Sequence, residues 1–275
     1  MNLVPAQTRS PSLVLAAHGT HRPEGPRTLA ALADLARHRL PGTSVAVGFV
    51  DVIGPTVADV VAVRLAEHAC AVVVPVFLGT GHHVEVDLPK VAAGREDRVL
   101  VTPALGPVPE VVRAVADRLR QASTAGSAAN GQRRLPDAVV LAAAGSTRER
   151  SRRESAAAAR SLASLLGRPV TVGFASGAGP SVVEAVWRAR AVEGAATVGV
   201  ASYLLAPGVF QERLGASGAD VVAQPIGAHP AVADLVVRRY LEAVEALEAV
   251  VPASRRPVKP KATTPRTTRA TAHAG

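Results

Sequence analysis

The stretch Phe77-Leu78-Gly79-Thr80-Gly81-His82-His83-Val84-Glu85-Val86-Asp87-Leu88-Pro89 sets two imidazoles and two carboxylates directly after an aliphatic run. Neutral imidazole and carboxylate are both donors to divalent first-row ions, so this composition points to metal handling. Two more polar residues stand in comparable places. His18 follows Leu13-Val14-Leu15-Ala16-Ala17, and Asp51 follows Val45-Ala46-Val47-Gly48-Phe49-Val50. If those apolar runs are strands, all these groups stand at strand carboxyl ends, where open α/β sheets take their ligands.

The elements needed to position them follow from the hydrophobic pattern. Residues 12–17, 45–50, 71–78 and 99–102 read as strands, and the nearly continuous apolar run Val72-Val73-Val74-Pro75-Val76-Phe77 is that of a parallel strand covered on both faces. Between them helical patterns cover residues 26–40, a helix opened by Pro55 with Val57, Val60, Val61 and Leu65 on one side, residues 84–93 and residues 108–121. Regular alternation of strand and helix predicts an α/β fold with parallel sheets flanked by helices. His21, His38 and His68 fall at ordinary surface or helical positions.

Residues 122–135, rich in Ser, Thr, Gly, Asn and Gln, read as a linker, and beyond them the chain repeats. Leu15-Ala16-Ala17-His18-Gly19-Thr20 returns as Leu141-Ala142-Ala143-Ala144-Gly145-Ser146, and Val47-Gly48-Phe49 as Val172-Gly173-Phe174, with Pro55 echoed by Pro180 and Phe77-Leu78 by Tyr203-Leu204. Two similar lobes are therefore expected, over residues 1–121 and 136–250. The copies differ in their polar groups: Ala144 stands for His18, Ser176 for Asp51, and about Gly208-Val209 for His82-His83. An active first lobe and a structural second lobe follow from that loss.

Composition excludes several classes. Of 275 residues 48% are hydrophobic and 19% charged, which describes a globular core. The single cysteine, Cys70, rules out an intrachain disulfide, a Cys-x-x-Cys zinc site or an all-cysteine cluster within the chain. Residues 1–10 lack a secretory signal, and no apolar run nears the roughly 20 residues a spanning helix requires, so a cytoplasmic protein without a membrane partner is expected. The formal charge is +9, but residues 251–275 hold six of the cations and no acid, in a Pro-, Thr- and Ala-rich tail expected to be disordered. Aromatics make up 3% of the chain, too few to stack bases, which argues against a nucleic-acid partner. No phosphate loop of the Gly-x-x-x-x-Gly-Lys type is present.

Taken together, Ala17-His18-Gly19-Thr20, Phe49-Val50-Asp51 with Pro55, and the Phe77–Pro89 stretch resemble the sirohydrochlorin chelatase family over residues 13–248. The resemblance implies two flavodoxin-like, chelatase-like lobes and an enzyme that inserts Co2+ or Fe2+ into sirohydrochlorin without ATP, for cobalamin or sirohaem synthesis. It implies no tightly bound cofactor, the divalent ion being a substrate. By the same resemblance His18 is the first metal-binding histidine and His83, four residues before Asp87, the second; the adjacent His82 is the alternative. Where the family commonly carries a glutamate this chain has the shorter Asp51, expected to stabilise charge directly or through a water. Arg22, Arg27, Glu85 and Asp87, and beside them Arg148, Arg150, Arg152 and Arg153, are candidates for contact with the polycarboxylate macrocycle. The residues do not fix the oligomeric state, although two fused lobes could replace a dimer of single lobes and let a monomer suffice. A carrier of metal or tetrapyrrole without turnover is the competing function, and a phosphoryl-transfer enzyme with a strand-end histidine is a third.

Overall fold

The computed structural model describes residues 10–126 and 134–250. Within them the chain runs β1 (Ser12–Ala17), α1 (Glu24–Arg39), β2 (Val45–Phe49), α2 (Val57–Glu67), β3 (Ala71–Pro75), a π-helical turn (His83–Asp87), α3 (Leu88–Ala92), β4 (Val99–Val101) and α4 (Pro109–Gly126). It continues with β5 (Ala138–Ala143), α5 (Glu149–Leu166), β6 (Val170–Phe174), α6 (Val182–Ala191), β7 (Val198–Tyr203), α7 (Val209–Gly215), β8 (Val221–Val222) and α8 (Pro230–Val250). All pairings are parallel, in two four-stranded sheets ordered β2-β1-β3-β4 and β6-β5-β7-β8. The α/β class and the paired flavodoxin-like lobes expected from the sequence are what the chain adopts.

The repeat holds at the level of single pairs. Leu15, Ala16 and Ala17 face Val47, Gly48 and Phe49 across β1 and β2, as Leu141, Ala142 and Ala143 face Val172, Gly173 and Phe174 across β5 and β6. Each second strand is then followed by a capped helix. Thr56 accepts from the Asp59 amide at the start of α2, and Ser181 forms a reciprocal capping box with Glu184 at the start of α6.

Side-chain alternation along the central strands sorts the helices into layers. Val14 and Ala16 of β1 bury against Val57, Val60 and Val61 of α2 and Leu88 of α3. In the second sheet Val140 and Ala142 bury against Val182, Ala185 and Val186 of α6 and Leu214 of α7. The opposite faces, with Leu13, Leu15, Val139 and Leu141, share one large core built from α1, α4, α5 and α8. These four helices form a single layer between the two sheets.

Within that layer two helices have changed places. The helix α4 follows the first sheet in sequence but packs on β7 and β8 of the second, where Leu119 lies against Gly199. The last helix, α8, crosses back to β3 and α1: the Tyr240 hydroxyl donates to the Pro11 carbonyl at 2.6 Å, and Asp234 pairs with Arg39 at 2.6 Å.

Two expected boundaries move. The segment read as linker from residue 122 begins inside α4, which continues to Gly126 because its buried face, including Val115 and Leu119, is covered by the second sheet. The third strand ends at Pro75 rather than residue 78, since the Phe77 carbonyl accepts from the Leu105 and Gly106 amides of the loop after β4 instead of from a strand. The remainder of the linker through residue 133 and the basic tail lie outside the described residues. Among the described residues, no helix is long and apolar enough to cross a membrane.

Candidate metal centre

Because β1 lies between β2 and β3, the residues just beyond these three strands meet at one edge of the first sheet. His18 is the first residue past β1, Asp51 follows β2, and His83 opens the π-helical turn after β3. The close approach of the first two loops depends on Gly19: a Cβ there would lie 2.1 Å from the Asp51 carbonyl oxygen. The Gly19 amide also faces Asp51 Oδ1 at 3.3 Å. After Asp51 the chain turns at Val52, whose φ of 64° is a strained conformation for a β-branched residue.

Asp51 sits between the two imidazoles. Its Oδ1 is 2.8 Å from His18 Nδ1 and its Oδ2 is 3.4 Å from His83 Nε2, and the two rings are 5.6 Å apart between centroids. One donor atom from each of the three residues lies within 4.8 Å of the others, so the group could hold a metal ion with modest closure. The opposite edge of His83 is fixed by Asp87, whose Oδ2 accepts from Nδ1 at 2.8 Å. A histidine that donates one N–H to a carboxylate presents its other nitrogen as a lone pair, the arrangement common around ligating imidazoles. That hydrogen bond, and then the one from Lys90, holds the Asp87 carboxyl below its ordinary range. His18 is the most exposed of the three, with 59% of its side chain accessible, so the group is open on one side.

His82 points elsewhere: its Nδ1 meets Arg148 Nη2 at 3.2 Å, and its Nε2 is 3.9 Å from Asp87. Of the two adjacent histidines, His83 is the one that joins His18 and Asp51. Glu85, a candidate for substrate contact, is instead gripped by the second lobe, through Arg148 at 2.5 Å and Arg150 at 3.3 Å. Asp87, another such candidate, serves His83 and Lys90. Arg22 pairs with Glu212 of α7, and Arg27 is exposed on α1. Of the other arginines read as substrate contacts, Arg152 donates to the Thr147 carbonyl and Arg153 pairs with Glu149 on its own helix.

Sequence reasoning missed two groups of the second lobe that hold the segment carrying His83, and a glycine of the first lobe that lets the loop after β4 close beside them. The Tyr203 hydroxyl donates to the Leu78 carbonyl at 2.8 Å, and burial, with Glu154 nearby, keeps its phenol proton in place to well above the ordinary value. Glu154 accepts from the Thr80 amide at 2.7 Å and from the Thr80 hydroxyl at 2.6 Å. A Cβ on Gly106 would lie 2.3 Å from the Leu78 carbonyl oxygen, so glycine is what lets this loop close on the strand end. A signal existed only for Tyr203, the repeat partner of Phe77.

Paired parallel lobes with an imidazole–carboxylate group at the strand ends of one of them define a two-lobed, chelatase-like α/β protein. The chain belongs to the CbiX family, whose model matches it twice, over residues 12–122 and 138–243. Among solved structures it is similar to SirB from Bacillus subtilis with Fe3+, at 21% identity and a TM-score of 0.71, covering 88% of this chain and 98% of that one. It is also similar to the sirohydrochlorin chelatase SirB from Bacillus subtilis subspecies spizizenii in complex with cobalt, at 20% identity and a TM-score of 0.68 over 88% of this chain and 98% of the other. A third is CbiX, described as the terminal enzyme of siroheme biosynthesis in denitrifying bacteria, at 21% identity and a TM-score of 0.57 over 87% and 99%. At these identities the likeness is one of fold. No curated protein matches the chain by sequence.

Proposed function

We propose that the protein is a sirohydrochlorin chelatase, inserting Co2+ or Fe2+ into the macrocycle without a nucleotide. The observation that carries this reading is the convergence of His18, Asp51 and His83 at the strand ends of a CbiX-family chain. Insertion exchanges two pyrrole N–H protons for one divalent ion, so the site must bind a cation and accept protons near neutrality. Imidazole suits both tasks because its unperturbed pKa is about 6.5.

In this reading the arriving ion takes the place of the proton between His18 Nδ1 and Asp51 Oδ1, and that proton moves to His18 Nε2, so binding switches the tautomer of the neutral ring. His83 presents Nε2 because Asp87 holds Nδ1. Three protein donors leave coordination positions through which ring nitrogens can replace water. As the pyrrole protons leave, His18 and His83 accept them and Asp51 balances the charge. The donor set takes cobalt and iron alike, so supply rather than geometry selects the ion. Action in the cytoplasm, on a free tetrapyrrole, completes the proposal.

The test is anaerobic mixing of protein, Co2+ and sirohydrochlorin, with the absorbance of the metal-free macrocycle followed in time. His18→Ala and His83→Ala should each slow insertion by about a hundredfold or more. Stoichiometric binding with no acceleration over the protein-free rate would make the protein a carrier instead, and unchanged rates in both variants would remove the site.

A further inference from the structure

Residues 77–81 lie between β3 and the π-helical turn in no regular element, so their backbone groups depend on partners from elsewhere. The loop after β4 satisfies the Phe77 carbonyl. The next two grips come from the second lobe: Tyr203 on the Leu78 carbonyl, and Glu154 on the amide and hydroxyl of Thr80. Glu154 is mostly buried, with 17% of its side chain accessible, and both of its oxygens are committed to Thr80. Arg150 approaches the same carboxylate at 3.4 Å and also reaches Glu85, so one network ties α5 to both flanks of His83.

We propose that Glu154, on the lobe that supplies none of the three converging donors, is a positioning residue for His83. It fixes the turn at Thr80 three residues upstream of the ring, while Asp87 fixes the ring from downstream. The physical basis is the strength of hydrogen bonds to an ionised acceptor and the steep dependence of a bound geometry on small displacements. Without Glu154 the segment from Leu78 to His83 keeps the Tyr203 contact at Leu78 and the Arg148 contact at His82, but the turn at Thr80 between them loses both of its hydrogen bonds. The distance of His83 Nε2 from Asp51 is then set from downstream alone, by Asp87. The degenerate lobe thereby retains a role in the chemistry after losing the counterparts of His18, Asp51 and His83: it sets the geometry of the intact site.

This inference rests on the reading that His83 holds the ion, and the experiment separates the two. Co2+ is titrated into the full chain without macrocycle, and affinity and the visible d–d bands are read together with the melting temperature of the ion-free protein. Glu154→Ala should weaken Co2+ binding roughly tenfold or more and shift the bands at saturation. Glu154→Gln, which keeps an acceptor for the Thr80 amide, should recover most of the affinity. Thr80→Val removes only the hydroxyl and should weaken binding less, in the same direction, which keeps the test decisive if Glu154→Ala does not fold. Wild-type affinity and bands in folded Glu154→Ala, or in Thr80→Val where Glu154→Ala is unfolded, would overturn the positioning role. If His83→Ala also binds Co2+ as the wild type does, the assignment of the ion to His83 fails, and this inference with it. Loss of the ion in His83→Ala alone leaves that assignment standing and sinks only the role of Glu154.

Discussion

His83 is held at one ring nitrogen by Asp87 at 2.8 Å and faces Asp51 with the other at 3.4 Å. Removing the outer partner should therefore be felt at the inner one: Asp87→Ala is expected to lower Co2+ affinity by about 10- to 100-fold, measured by titration of the visible bands. The same carboxylate has a pH signature. Its folded-state value lies below the ordinary one, so its contribution to stability is complete above about pH 4 and is lost as the pH falls through the lowered value. Acid unfolding followed by circular dichroism should be shallower below about pH 4 in Asp87→Ala than in the wild type. At this scale much was legible: His18, Asp51 and His83 stood out because each follows a strand and none has an imidazole or carboxylate counterpart in the second copy. The partner of Asp87 was not, because a four-residue spacing from His83 says that they share a face but not whether the carboxylate turns to the ring or to the cleft.

At the scale of elements, the loops after β1 and β2 are locked by a glycine, and the repeat provides its control. Gly19 and its counterpart Gly145 both place a would-be Cβ on the backbone oxygen of the neighbouring loop, at 2.1 Å from Asp51 and 1.7 Å from Ser176. Either alanine substitution should destabilise the protein, by about 1–3 kcal/mol, read from denaturant midpoints. Only Gly19→Ala should also weaken Co2+ binding, because only that loop pair carries His18 and Asp51. Equal losses of affinity in the two variants would mean that the lobes are coupled through stability and not through the site. The strands and most helices could be read from periodicity and capping. The end of β3 could not, since what draws Phe77 off the sheet is a loop near residue 105, distant in sequence.

For the whole molecule, the exchange of α4 and α8 means that neither half of the chain fully covers the inner face of its own sheet. A fragment of residues 10–126 leaves the inner face of its sheet without α8, and a fragment of residues 134–250 lacks α4 over β7 and β8. Expressed singly, each fragment should aggregate or remain unfolded, because the uncovered faces are large apolar patches. Expressed together they should reassemble into a soluble complex that binds Co2+, as judged by gel filtration and titration. Independent folding of the first fragment as a monomer would show that the exchange does not govern stability. The repeat announced two lobes, but a period in sequence does not say onto which copy each helix folds.

From the sequence by itself came the strand–helix alternation, the duplication, the lobe that keeps its polar strand ends and the family those residues resemble. These depend on local period, turn chemistry and residue type, all carried by short windows of chain. The resemblance favours His83 with His82 as the alternative; only the tertiary structure set His83 beside Asp51 and His82 against Arg148, turned Asp87 onto the ring, and brought Glu154 and Tyr203 of the second lobe onto the segment before it. Those contacts join residues 74 and 125 positions apart, and a hydrogen bond of that span leaves no trace in the local pattern of either partner.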